Sequence, residues 1–366
     1  MLNKTTMLNK ESSLRINLIR FPLIVGVVFI HNFPTVVLNG GAIIIDISHN
    51  NFTVDFVRNI ISYGIARIAV PLFFLISGYL FFVGFVWSKE NYMKKLRSRV
   101  KTLLVPYLFW NMLILILITT AQALPITQGY FSGKGSTIAN FNVFDYLNAF
   151  FSIGPGRAPI AYQFWFIRDL MLFVLLVPII YFLNKVLPLF FIFVLFIVWF
   201  LNIFPFSIPS IEGILFFSIG CFLGFTKNDL FSLDKYGLVI TTAYTVVLIT
   251  DVIFIKSDFD LYLHKVGIVL GVLVALFLTR LVTNSRILKQ TILSLATTSF
   301  FVYAAHEPLL CVVRKITYKI TQPNSTLLIL ALYFILPIMV IVLLVVVYRI
   351  LSGLFPRFIS VITGGR

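Results

Sequence analysis

The chain alternates between long runs of apolar residues and short polar segments. Each of ten runs approaches the length of about 20 residues that an α-helix needs to cross a bilayer. This pattern predicts an all-α fold, a polytopic membrane helical bundle with about ten transmembrane helices, in which residues 1–366 form a single integral membrane domain. The predicted spans are residues 17–37, 60–86, 103–123, 161–183, 187–204, 211–226, 237–256, 265–282, 294–313 and 326–352.

Composition excludes an ordinary soluble protein. Of the 366 residues, 60% are hydrophobic and 11% are charged, whereas a typical soluble domain is about 25% charged. A soluble core could not bury this much apolar surface. The two cysteines, Cys221 and Cys311, fall inside apolar runs, which predicts buried thiols rather than a disulfide framework.

The net charge of +16 does not indicate nucleic-acid binding, because the basic residues lie in alternate loops between the apolar runs. With the N-terminus inside, nineteen of the 29 Lys and Arg residues fall in inner segments and eight in outer segments. Basic residues are retained on the cytoplasmic side of a membrane. Both termini, including the N-terminal segment 1–16, are therefore predicted to be cytoplasmic.

Residues 87–102, between the second and third spans, combine basic residues with apolar residues at helical spacing. Tyr92, Leu96 and Val100 recur at that spacing, which predicts a basic amphipathic helix on the inner membrane surface. One interpretation is orientation of the chain and attraction to anionic lipid. The other is a docking surface for a phosphorylated cytosolic cofactor. The basic residues are Lys89, Lys94, Lys95, Arg97, Arg99 and Lys101.

The longest loop, residues 124–160, is predicted to lie outside. It contains several glycines and is too short for an independent domain, but it could cover an outer entrance to the bundle. No internal repeat is visible along the chain, which weakens the case for a transporter built from duplicated halves.

Several ionisable residues lie inside the predicted spans, where a charge costs roughly 2.5–3.5 kcal/mol at the centre of a helix on insertion scales. In the first span, Arg20 and His31 are eleven residues apart. An ideal helix therefore places them within about 20° of azimuth, with His31 about 16 Å above Arg20. Three further spans bring polar groups to the level of His31, among them the outer half of the ninth span. The predicted layer contains His31, Arg67, Arg168, Asp169, His306 and Glu307.

Two interpretations of this layer remain open. The charged groups could pair with one another to hold the bundle together, as Arg168 could with Asp169 or Glu307. Alternatively, His31 could act as a general base, because imidazole is the side chain best matched to proton transfer near neutral pH. A metal site is disfavoured, because spacings such as H-E-x-x-H are absent and Arg67 would oppose a cation.

Short motifs occur in order along the first part of the chain. Arg20 and His31 form an R-x10-H pattern in the first span. Residues 70–79 read V-P-L-F-F-L-I-S-G-Y, and residues 104–107, at the end of the basic stretch, read L-V-P-Y.

Two further motifs follow. Residues 165–170 read W-F-I-R-D-L, and residues 299–308 read S-F-F-V-Y-A-A-H-E-P. Together the five motifs cover nearly the whole chain and resemble those of the membrane acyltransferase-3 family, which includes O-acetyltransferases of sugars and polysaccharides. One departure is the spacing of Arg97 and Arg99, which replaces the R-x-x-R often seen there and leaves open which basic residues contact the cofactor.

The resemblance implies an enzyme that moves an acyl group, commonly acetyl, from cytosolic acyl-CoA to a hydroxyl of a cell-surface glycan or lipid-linked sugar. The expected location is the bacterial inner (plasma) membrane. Expected partners are membrane lipid, the glycan acceptor and acetyl-CoA or another acyl-CoA as co-substrate, with no metal and no nucleic acid; a homodimer is one option. The catalytic candidates are His31, Arg20, His306 and Glu307. The candidates for oxyanion or acceptor binding are Arg67, Arg168, Asp169, Trp165 and Tyr303. The candidates for acyl-CoA binding are Ser77, Lys94, Lys95, Arg97, Arg99 and Lys101.

Two other function classes compete with this one. A polytopic glycan exporter or transporter would also hold buried charges, but it would not transfer label from acetyl-CoA to glycan. A lipid-linked glycan polymerase would ordinarily have a larger outer loop with paired basic residues. The loop 124–160 offers only Lys134 and Arg157.

Overall fold

The chain folds into helices at every predicted span, which confirms the all-α polytopic architecture. In the described part of the chain, one short antiparallel hairpin departs from helix; its strands are β1 (Val36–Asn39) and β2 (Ala42–Asp46). Lys134, Arg157 and the first eight residues of the predicted N-terminal segment lie outside the described residues. The computed structural model describes residues 9–33, 36–39, 42–46, 52–128, 137–153 and 158–365.

Sixteen α-helices follow in chain order. The first eight are α1 (Lys10–His31), α2 (Phe52–Arg58), α3 (Ala69–Phe82), α4 (Lys89–Arg99), α5 (Val105–Ala123), α6 (Pro125–Gln128), α7 (Val143–Phe151) and α8 (Trp165–Val186). The others are α9 (Pro188–Phe200), α10 (Ile211–Phe225), α11 (Gly237–Ile253), α12 (Asp260–Thr283), α13 (Arg286–Ala296), α14 (Ser299–Thr321), α15 (Thr326–Leu354) and α16 (Pro356–Ile362). Tighter or wider helical turns occupy Asn59–Gly64, Ile65–Ile68, Val100–Leu104, Ile138–Asn140, Tyr162–Phe164 and Ser232–Tyr236.

Most of these helices are long enough to cross a membrane. Within the described ranges, seven helical segments pass on length and hydropathy, or eight when α13 and α14 are counted as one broken span. The other two predicted spans are shorter, since α9 has 13 residues and α10 has 15. At 1.5 Å per residue they extend about 20 and 22 Å, less than the roughly 30 Å of a hydrocarbon core.

Two predicted boundaries are corrected. α1 ends at His31, six residues before the predicted end of the first span, so His31 occupies the last turn of its helix. The hairpin follows, because β-branched residues such as Val36 and Val37 raise hydropathy whether they form helix or strand. α14 continues to Thr321, so His306 is the eighth of its 23 residues and lies in the first half of the helix rather than its outer half.

The chain forms two compact units, each made of three stretches of sequence. The first unit comprises Met1–Val27, Asn59–Val100 and Asp169–Ser299. The second unit comprises Val28–Arg58, Lys101–Arg168 and Phe300–Arg366.

In the first unit, α3 and α10 pack through glycines with their backbones in contact. A Cβ atom on Gly78 would lie 2.1 Å from the carbonyl oxygen of Phe217, and one on Gly220 would lie 2.0 Å from that of Leu75. Small residues four apart, here Gly220 and Gly224, allow this approach between membrane helices. The glycines of the short span are therefore explained by its packing.

An arginine clamp also stabilises the first unit. Arg15 of α1 makes two hydrogen bonds to the Asp234 carboxylate, of 2.6 and 3.0 Å. The same guanidinium donates to Thr279 Oγ1 at 2.7 Å and to the Leu276 carbonyl at 2.9 Å, and it stacks over the Phe231 ring at 3.8 Å. This buried cation is thus fully engaged in structure.

In the second unit, side-chain hydrogen bonds connect helices distant in sequence. Asn32 Nδ2 donates to the Tyr333 carbonyl at 3.0 Å, and the Tyr333 ring packs edge-on against Phe29 with centroids 5.5 Å apart. Trp110 of α5 donates through Nε1 to the carbonyl of Ile362 at the end of α16, at 3.0 Å. These contacts hold the end of α1 against α15, and α5 against α16.

Candidate active site

Three ring side chains of the second unit meet at the end of α1. The His31 ring lies 5.1 Å from the His306 ring of α14 and 4.9 Å from the Tyr162 ring, centroid to centroid. Tyr162 belongs to the helical turn that precedes α8. The backbone carbonyl of His31 accepts a hydrogen bond from Arg314 Nη1 at 2.8 Å, which satisfies one of the carbonyls that a helix end leaves open.

His306 has one nitrogen committed to the protein and one that is not. The residue is completely buried, and its Nδ1 lies 2.7 Å from the Tyr303 carbonyl oxygen. Because a carbonyl oxygen only accepts, we assign a proton to Nδ1. In the neutral ring, Nε2 then carries the lone pair, and it has no hydrogen-bond partner among the described residues.

Glu307 brings a carboxylate to the same place through a break in α14. Its backbone is non-helical (φ −107°, ψ 135°), since Pro308 disfavours helix in the residue before it. The side chain is hydrogen-bonded to the Tyr162 hydroxyl and to the backbone N–H of Cys311, and the positive charge of Arg314 acts on it. Glu307 Oε1 has no partner within the described structure.

Gln163 replaces the hydrogen bond that Pro308 removes. Pro308 has no N–H, so the carbonyl of Ala304, four residues earlier, loses its helical donor. Gln163 Nε2 donates to that carbonyl at 3.1 Å and to the Glu307 carbonyl at 3.3 Å. Tyr303 in turn donates its hydroxyl to the Gln163 carbonyl at 2.6 Å. The turn that carries Tyr162 is thereby fastened to the broken stretch of α14.

Half of the predicted polar layer lies together in this unit, namely His31, His306 and Glu307. Arg168 is buried in the same unit, and Trp165, the first residue of α8, is half-buried there. The contribution of the turn before α8 and that of Arg314 were missed. The missing N–H of Pro308 and the two-turn spacing from Glu307 to Arg314 are the sequence signals that could have indicated them.

Arg67 and Asp169 belong to the first unit and have their own neighbours there. Asp169 is completely buried, and its Oδ2 accepts a hydrogen bond from the Ser210 backbone N–H at 2.8 Å. Ser210 is the N-cap of α10, with its hydroxyl bonded to the Gly213 N–H at 3.1 Å. Asp169 therefore stabilises the start of a helix. Arg67 is exposed on the turn before α3, and its charge interacts with that of Glu212.

The predicted basic helix is present as α4. Ser88 caps it by accepting a hydrogen bond from the Asn91 N–H at 3.0 Å, and a wider turn joins it to α5. Lys94 pairs with Glu90 at 2.7 Å on the exposed face, and Lys95 lies over the Phe81 ring at 5.3 Å. The other members of the acyl-CoA set are exposed (Arg97, Lys101) or half-buried (Ser77, Arg99).

Arg20 differs from the arginine clamp in having no such contacts. It is half-buried in α1, and within the part of the chain that the structure describes its guanidinium makes no hydrogen bond or ion pair. A guanidinium has five N–H donors, so Arg20 is able to bind an anionic group. Across the described residues, no cluster of three or more His, Cys, Asp or Glu side chains is suited to a metal ion.

These features define a multi-pass helical membrane protein that holds imidazole, carboxylate and phenol groups side by side. The sequence model of the acyltransferase-3 family, described as an acyltransferase domain, matches residues 13–347. The chain belongs to this family, and it is a membrane acyltransferase. The resemblance seen in the motifs is confirmed.

A curated relative is similar over almost its full length. The succinoglycan biosynthesis protein ExoH of Rhizobium meliloti (strain 1021) is 26% identical, and the match covers 97% of this chain and 92% of the relative. No solved structure matches the chain.

Proposed function

We propose that the protein transfers an acetyl group from cytosolic acetyl-CoA to a hydroxyl of a cell-surface polysaccharide or its lipid-linked precursor, in the bacterial plasma membrane. The observation that carries the proposal is the pairing of the His31 and His306 rings beside Tyr162 and Glu307. Membership of an acyltransferase family and a relative named for succinoglycan biosynthesis support it.

In the proposed step, His31 is the general base. The acceptor hydroxyl gives its proton to His31 as its oxygen attacks the thioester carbonyl, forming a C–O bond. The C–S bond then breaks, and the CoA thiolate takes the proton from the His31 imidazolium, so the products are the acetyl ester and free CoA. A direct transfer of this kind requires no acyl-enzyme intermediate.

The neighbouring groups have supporting roles in this proposal. His306 and Glu307 orient His31 and the acceptor hydroxyl, since both present an acceptor atom without a partner in the described structure. Arg168, buried in the same unit, supplies positive charge for the oxyanion. Tyr162 holds the Glu307 carboxylate through its hydrogen bond.

The donor is proposed to bind through basic residues. Arg20 makes no contact that would occupy its guanidinium, and it shares a face of α1 with His31, about 16 Å away along an ideal helix. Charge-assisted bonds from Arg20 and from basic residues of α4 would hold the phosphates of CoA. The thioester would then extend along α1 toward His31.

The test is transfer of radioactive acetyl from acetyl-CoA to membrane glycan by the purified protein in lipid nanodiscs. A drop of about 10²- to 10⁴-fold is expected for His31→Ala, the range of general-base catalysis. His31→Gln is the matched variant, because it keeps a polar side chain but cannot accept the proton. Wild-type rates in both variants would refute the role of His31, and a wild-type protein that transfers no label would favour a glycan exporter.

A further inference from the structure

The first unit contains a second group of polar side chains, which the transfer step above does not use. Tyr63 and Arg67 come from the turns before α3, Glu212 from the start of α10, Asp251 from the end of α11 and His264 from the start of α12. In the orientation predicted from the basic residues, these ends of α10, α11 and α12 are outer ends. The group therefore lies on the side from which a cell-surface acceptor arrives.

Asp251 and His264 form a hydrogen-bonded pair within this group. His264 Nδ1 lies 3.1 Å from Asp251 Oδ2, and Asp251 is 2% exposed. The Tyr63 ring stacks on the imidazole with centroids 4.3 Å apart, and its hydroxyl donates to Asp260 Oδ1 at 2.8 Å. Both the second carboxylate oxygen, Asp251 Oδ1, and His264 Nε2 remain without a hydrogen-bond partner among the described residues.

Arg67 and Glu212 interact without forming a direct pair. Each feels the charge of the other, but across the described residues no hydrogen bond or ion pair joins them. Glu212 is hydrogen-bonded to the side chain of Trp199, and Arg67 is exposed. The guanidinium donors and the carboxylate acceptors are thus adjacent and available.

The balance of charge decides which ligand would fit. An anion would be attracted by Arg67 but repelled by Glu212 and Asp251. A cation would be attracted by those carboxylates but repelled by Arg67 and by Lys265, whose Nζ is buried against the Trp199 carbonyl at 2.6 Å. A hydroxyl group accepts from a guanidinium and donates to a carboxylate at the same time. The unused donors and acceptors therefore match a neutral polyhydroxylated ligand.

We propose that Arg67, Glu212 and the Asp251–His264 pair bind the hydroxyl groups of a neutral sugar residue in the acceptor glycan. This assignment rests on the proposed function and gives it a substrate class. It assigns binding, not proton transfer, to these residues.

Binding is tested first without any acyl donor. The protein in nanodiscs is titrated with methyl β-glucoside, methyl β-galactoside and methyl β-glucuronoside, and tryptophan fluorescence is followed because Trp199 contacts Glu212. A neutral glycoside is expected to change the fluorescence, with affinity about 10-fold weaker in Glu212→Gln or Arg67→Gln. Tighter binding of the glucuronoside, no response to either neutral glycoside, or an unchanged affinity in both variants overturns the assignment.

Kinetics then separate binding from chemistry. With acetyl-CoA and the glycoside that binds, Glu212→Gln and Asp251→Asn should raise the KM of the glycoside about 10-fold while the KM of acetyl-CoA stays constant. Thr250→Val is the matched control, since its exposed hydroxyl bonds only to its own helix. An unchanged glycoside KM overturns the proposal. Fluorescence binding without any acetyl transfer by the wild-type protein would instead refute the proposed function and leave the sugar site standing.

Discussion

The side-chain amide of Gln163 lies 3.1 Å from the carbonyl oxygen of Ala304, the helical acceptor that Pro308 leaves without a donor. Gln163 directly follows Tyr162, whose ring contacts His31. One hydrogen bond therefore repairs the broken helix and fixes the position of a ring at the candidate site. Backbone groups left unpaired inside a membrane cost several kcal/mol, so this contact has a structural role as well.

Gln163→Leu should destabilise the protein by about 1–3 kcal/mol, because it leaves a buried carbonyl unsatisfied. Acetyl transfer should fall as well, since the turn that carries Tyr162 loses its attachment. Thermal unfolding in nanodiscs and the transfer assay measure the two effects. Gln290→Leu, on the exposed face of α13, is the matched control. Equal behaviour of both variants would contradict the role of Gln163.

The two imidazoles should act as one unit. His306→Ala is expected to reduce transfer, because Nε2 of His306 faces no protein partner in the described structure and is available to the acceptor. In the double variant with His31→Ala, little further loss is expected, since residues that act together are strongly non-additive. Independent, multiplicative losses would show that the rings work separately.

The glycine contact between α3 and α10 should tolerate no side chain. A Cβ on Gly78 would meet the Phe217 carbonyl at 2.1 Å, and backbone cannot move aside as a side chain can. Gly78→Ala should therefore lower the unfolding temperature or the yield of folded protein. Gly353→Ala is the control, since nothing lies within 4 Å of its Cβ position. A stable, active Gly78→Ala variant would refute this packing.

The basic helix offers a choice between cofactor docking and lipid attraction. If α4 binds CoA phosphates, Arg99→Gln should raise the KM of acetyl-CoA about 10-fold, the effect of losing one charge-assisted bond. Lys94→Gln should have little effect, because this ammonium already pairs with Glu90 at the surface. If α4 only attracts lipid, the KM will not change, and activity will instead depend on the fraction of anionic lipid in the nanodisc.

The helical architecture was predictable because lipid imposes a simple rule. Each span must satisfy its own backbone and expose apolar side chains, so the ten apolar runs locate ten helical regions. The meeting of His31 with His306 followed from span order and the family motifs. The end of α1 was misplaced because hydropathy does not separate a helix end from the strand at Val36–Asn39.

The rest depends on tertiary contacts that no window along the sequence contains. Gln163 and Ala304 are 141 positions apart, and their bond is visible only once α14 is known to break. Arg67 was expected beside His31 from its depth alone, but depth does not determine which helices are neighbours. Its observed neighbour, Glu212, lies in the span whose boundaries were hardest to read.

The chain carries two thiols with contrasting surroundings: Cys221 is buried and Cys311 is partly exposed. Cys311 lies one helical turn after Glu307, whose carboxyl group bonds to its backbone. A maleimide or nitroxide reagent should therefore modify the native sequence at a single position beside the paired imidazoles. Spectroscopists would gain a reporter of that environment without first having to engineer one.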